Sequence, residues 1–127
     1  MKIRCEQNSI RLRLRRSELV QLRAEKWLET AIHFPDGNTL SWELIVDENR
    51  PEMEARFAGN TIQIGIPANL ADQWLDTSTV GIERFQHLGT GAVLHLLIEK
   101  DFPCKDRPGE DKSDFFSELA EEGPVNC

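Results

Sequence analysis

A chain of 127 residues with 15 basic and 22 acidic side chains, 39% apolar and 29% charged, has the make-up of one ordinary globular domain, not of a disordered segment. No apolar run approaches the roughly 18 residues of a membrane helix, and the opening MKIRCEQNSIRLRLRR lacks the apolar stretch of a secretory signal, so a cytoplasmic protein with no membrane partner is expected. Three cysteines, Cys5, Cys104 and Cys127, form an odd set without metal-type spacing and read as reduced thiols.

The net charge of −7 is unevenly placed. Residues 1–26 hold eight basic and three acidic side chains, residues 27–99 three and eleven, and residues 100–127 four and eight. The whole-molecule field therefore opposes long-range attraction to nucleic acid, although the first segment is basic.

In chain order, Lys2–Glu6 alternates as a short strand with Ile3 and Cys5 inward. Gln7-Asn8 makes a turn, and Ser9–Arg15 is a second strand with Ile10, Leu12 and Leu14 on one face and Arg11, Arg13 and Arg15 on the other. Ser17 is the expected cap of a helix running to about Lys26 with Leu19 and Leu22 on its buried stripe. Trp27–Phe34 and Thr39–Val46 form a hairpin around Pro35-Asp36-Gly37-Asn38, and residues 47–51 are a polar linker.

The second half repeats this order. Glu52–Ala58 and Thr61–Ile66 are strands around Gly59-Asn60, Pro67 opens a helix ending near Leu75, and Val80–His87 with Ala92–Glu99 forms the last hairpin. Gly65 in mid-strand predicts a bulge or a close backbone approach. Laying Asn8 on Asn60 aligns Leu12 and Leu14 with Ile64 and Ile66 and Cys5 with Phe57. The chain is expected to be a tandem ββαββ repeat: a mainly β (α+β), pseudo-two-fold, eight-stranded barrel over residues 1–99, with repeats at 1–46 and 52–99. Its core would be Ile10, Leu12, Leu14, Leu22, Ile62, Ile64, Ile66 and Leu75 with the hairpin apolar residues, and Trp27, Trp42 and Trp74 in the core or at its edge. Residues 100–127 would form an acidic tail whose short helical segment, 113–121, carries Phe115, Phe116 and Leu119.

The stretch Gly59-Asn60-Thr61-Ile62-Gln63-Ile64-Gly65-Ile66-Pro67 resembles the core motif of AbrB/MazE-like swapped-hairpin proteins. The first copy keeps Asn8-Ser9 but has Gln7 and Arg15 where glycine and proline are usual. In that family two chains interlace into one barrel, so a tandem copy implies a monomeric barrel closed within one chain. The resemblance also implies DNA binding. The family's basic contact positions map onto Arg4 and Arg13 in the first copy, and onto Arg56 and Gly65 in the second. The whole chain, from NSIRLRL to EKDFPC and RPGED, is also similar to an uncharacterised small bacterial family, which implies no function.

Candidate sites follow from residue types. Arg4, Arg11, Arg13, Arg15 and Arg56 are the nucleic-acid candidates, because guanidinium matches phosphate geometry; a solvated strand face paired with carboxylates explains them as well. Cys104, Asp106, Glu110 and Asp111 crowd one loop and are the metal candidates, at a spacing that matches no standard site. Cys5 reads as core packing, and His95, in an apolar strand, as a core histidine. No nucleophile has a flanking signature, so no enzyme and no cofactor are expected. The leading expectation is a non-enzymatic module engaging a protein partner through Phe115, Phe116 and Leu119. A DNA-binding regulator or antitoxin is the alternative, and a metal or small-ligand carrier the third.

Overall fold

The computed structural model describes residues 1–101. Eight strands and two helices follow in order: β1 (Lys2–Glu6), β2 (Ser9–Leu14), α1 (Arg16–Glu25), β3 (Trp27–His33), β4 (Thr39–Asp47), β5 (Glu54–Ala58), β6 (Thr61–Pro67), α2 (Ala68–Leu75), β7 (Gly81–His87) and β8 (Val93–Lys100). The turns sit where residues accept left-handed backbone: Gln7 at φ 52° between β1 and β2, and Gly59 and Asn60 at φ 56° and 60° between β5 and β6. Lys26, at φ 61°, ends α1 and returns its amide to the Leu22 carbonyl at 2.9 Å. Arg15 rather than Ser17 occupies the cap position of α1, and its amide is satisfied by Glu18 Oε2 at 2.7 Å.

The strands form two four-stranded sheets. In the first, hairpin β1–β2 joins hairpin β8–β7 through a parallel β2/β8 ladder that sets Leu12 beside Ile98. In the second, hairpin β3–β4 joins β6–β5 through a parallel β4/β6 ladder that sets Leu44 beside Ile64. Each sheet thus combines a hairpin that precedes the 47–51 linker with one that follows it.

Alternation turns Leu12, Leu14, Leu28, Leu44, Ile64, Ile66, Ile82, Leu96 and Ile98 into a common core with Leu22 of α1 and Ala71 and Trp74 of α2. Burial of each large aliphatic contributes about 1.5–3 kcal/mol. Ile10, Ile62 and Leu75 are only half-buried, packed against this core, and Trp27 is exposed. Cys5, expected inward, is exposed. It lies near the turn end of β1, as Phe57 does on β5, and both strands have run past the core there.

The expected closed barrel is corrected: the described residues form two sheets with open edges. The reason is visible between the edge strands β5 and β7. The Ala55 amide donates to Gln86 Oε1 at 2.8 Å, and Gln86 Nε2 donates to the Ala55 carbonyl at 3.1 Å. Two residues earlier, Arg84 of β7 donates to the carbonyl of Met53, just before β5. Side chains therefore occupy the space a main-chain ladder would need, while still satisfying the exposed edge.

Candidate functional site

The five candidate arginines do not form one site. Arg4, Arg11 and Arg13 lie on the outer face of β1 and β2, Arg15 caps α1, and Arg56 stands on β5 of the other sheet. Each has a carboxylate: Arg4 pairs with Glu6 at 3.2 Å, Arg11 with Glu99 at 3.3 Å, Arg13 with Glu99 at 3.5 Å, and Arg56 with Glu54 at 3.4 Å. Arg15 is exposed, as Arg4 and Arg56 are, and reaches Glu18 at 3.9 Å. Arg13 is almost wholly buried, with its side chain 9% exposed, so it holds the sheet face together instead of projecting from it. Asp101 joins the group, bonded to Lys2 at 2.9 Å and 4.0 Å from Arg13. The Lys2 hydrogen bond, aided by the charges of Lys2 and Arg13, holds its carboxyl below the usual range against the opposing effect of burial.

Gly65, at the position aligned with Arg13, has another occupant. A Cβ on Gly65 would lie 2.1 Å from Arg50 Nε, so the missing side chain is the seat of a guanidinium from the 47–51 linker. Arg50 pairs there with Glu54 at 3.5 Å and Asp47 at 3.9 Å. The expectation of a close backbone approach at Gly65 is met.

His95, expected in the core, faces outward. Its ring stacks on Phe85, with centroids 4.5 Å apart, and its Nε2 lies 2.9 Å from Glu83. Position in the β8/β7 ladder explains this, since His95 alternates with the buried Leu96. Among the described residues no group of three His, Cys, Asp or Glu side chains could hold a metal. The metal candidates Cys104, Asp106, Glu110 and Asp111 lie outside the described residues, as do Phe115, Phe116 and Leu119. A polar cleft of about 230 Å³ lies beside the β5/β7 junction, lined by Pro51, Glu52, Glu54, Arg84, Gln86 and His87. Arg84 and Gln86 are committed to holding β5 there, and no nucleophile lines the cleft.

Exposed apolar side chains mark the turn end of the same junction. Phe57, near the end of β5, and Leu88, just after β7, are 69% and 42% exposed. Phe57 lies beside Ile62 across β5 and β6, and Ile62 beside Trp42 across β6 and β4, so the apolar line continues into the core. Ile32, near the end of β3, and Phe34, just after it, are also exposed. Sequence reasoning assigned no role to Arg50, Arg84 or Gln86. Gly65 is 15 residues from Arg50, and the partners of Arg84 and Gln86 are 31 or 32 residues away, so no local period announces such contacts.

A model of a protein family of unknown function, DUF7009, matches residues 1–119 of this chain. No curated protein matches it, and no solved structure does.

Proposed function

We propose that this chain, which belongs to the DUF7009 family of unknown function, is a non-enzymatic binding module that engages a protein partner. The observation that carries this is the exposure of Phe57, beside the half-buried Ile62, and of Leu88, where a monomer would leave large apolar side chains in water. The acidic segment with Phe115, Phe116 and Leu119 supplies the second half of the contact. The scattered, carboxylate-paired arginines favour this over the DNA-binding regulator or antitoxin.

The two halves are, in this proposal, copies of one ββαββ unit that have exchanged hairpins, a one-chain counterpart of the swapped-hairpin family. The ladders support it: β2/β8 and β4/β6 are both parallel, and Leu12 beside Ile98 corresponds to Ile64 beside Leu44. Leu22 of α1 and Trp74 of α2 are buried 52 residues apart, the same interval as Asn8 to Asn60.

The test is quantitative capture from cells with the full chain as bait, comparing wild type with Phe57→Asp/Leu88→Asp and with Phe115→Ala/Phe116→Ala. One protein retained by wild type and reduced at least tenfold by either double variant is expected. A capture profile identical for all three chains would refute the proposal.

A further inference from the structure

We propose that the free edge of β3 is a dimer interface, at which a second copy of this chain adds its own β3 antiparallel, Ala31 opposite Ala31 of the copy. This goes beyond the partner-binding proposal and does not rest on it.

The first observation is which main-chain groups face outward. β3 is an outermost strand of its sheet, paired only with β4. The Phe34 amide donates to the Asn38 carbonyl at 2.7 Å, and the Val46 amide to the Lys26 carbonyl at 2.9 Å. In an antiparallel ladder bonded pairs alternate, so the even-numbered residues of β3 bond β4. The amides and carbonyls of Trp27, Glu29, Ala31 and His33 therefore point away from the sheet, a row ready to take another strand.

The other sheet edges are blunted, and this one is not. β1 is five residues long and carries Lys2 and Arg4. Gln86 and Arg84 of β7 occupy the space beside β5. β3 is seven residues, WLETAIH, without lysine, arginine or proline, and its register with β4 runs without a bulge. Trp27 and Ile32 on this strand, and Phe34 just after it, are large, apolar and exposed.

Self-complementarity selects the occupant and the register. A two-fold pairing centred on Ala31 sets Glu29 opposite His33 of the copy, and by symmetry does so twice. Glu29 already stands opposite Glu43 on β4, so an imidazole on its free side offsets a like-charge pair. Thr39 Oγ1 lies 3.3 Å from His33 Nδ1, which leaves Nε2 for that carboxylate. The same register brings the exposed Ile32 against Thr30 and Phe34 against Leu28, and sets Trp27 opposite Pro35, which has no amide to leave unpaired. Centring on Glu29 would oppose two carboxylates, and centring on Thr30 would leave Glu29 facing Ala31.

The experiment is sedimentation equilibrium of the full chain, with hydrogen exchange at Trp27, Glu29, Ala31 and His33 read against protein concentration. A reversible dimer in the micromolar range is expected, with exchange at these amides slowing as it forms. Ala31→Pro removes an outward amide where an edge strand accepts proline, and should give a folded monomer. Glu29→Lys should weaken the dimer about tenfold, and Glu29→Lys/His33→Glu should restore it, because both cross-copy pairs regain opposite charge. Phe57→Asp/Leu88→Asp should leave it unchanged, which separates this interface from the partner-binding surface. The proposal is overturned by a monomer at every concentration, by a dimer that survives Ala31→Pro, by failure of the double charge variant to restore it, or by its loss in Phe57→Asp/Leu88→Asp. Slow exchange at these amides in the dilute monomer would also overturn it, since the chain's own segment would then cover the edge.

Discussion

At the scale of single residues, an arginine's environment decides what it does. Arg13 and Arg50 both bring a guanidinium onto an outer sheet face, one from the strand itself and one from the linker onto the bare backbone of Gly65. Gly65→Ala places a methyl group where Arg50 Nε lies, so the guanidinium must leave Asp47 and Glu54. In an Arg50→Ala background that clash with the guanidinium is gone, and alanine is favoured over glycine in a strand by about 0.5–1 kcal/mol. The two substitutions should therefore couple by about 0.5–3 kcal/mol in urea melts, with Gly65→Ala costing stability only when Arg50 is present. Equal effects in both backgrounds would show that the seat contributes nothing.

At the scale of elements, the open β5/β7 junction rests on Gln86. Its amide makes both bonds to Ala55 that a neighbouring strand would make. Gln86→Ala leaves the Ala55 amide and carbonyl without these partners and should cost about 1–3 kcal/mol. Hydrogen exchange at Ala55 should accelerate while Ile64, on the next strand, stays protected. Unchanged exchange at Ala55 would mean that another group satisfies the edge. The elements themselves were legible in the sequence, because the alternation of Ile10, Leu12 and Leu14 and the Gly59-Asn60 turn are local signals. The junction was not, since one glutamine across 31 residues leaves no periodic trace. Cys5 and His95 were misplaced for a related reason. Alternation gives a strand face, but it gives neither where the core ends along the strand nor which face of an apolar strand is outside.

At the scale of the whole molecule, a net charge of −7 surrounds one basic face that is already in contact with carboxylates. Described residues contain no helix long and apolar enough to cross a membrane. The candidate DNA contacts were legible as residue types, yet their separation onto two sheets and the burial of Arg13 depend on the fold. Burial also changes the appropriate test. Arg13→Ala would take from the buried Glu99 one of its two arginine partners, so a loss of binding in that variant would report damage to the sheet. Arg4 and Arg15 are exposed and can be removed without that cost.

The central claim, that this is a protein-binding module and not a DNA-binding regulator, is tested most directly by titrating duplex DNA with the full chain near physiological salt. About four phosphate contacts would give a salt slope near −3 to −4, a fragile complex against the acidic remainder of the molecule. Binding no tighter than about 10⁻⁴ M is expected, equal for all sequences and unchanged in Arg4→Ala/Arg15→Ala. A sequence-specific, submicromolar complex abolished by that double variant would contradict the account.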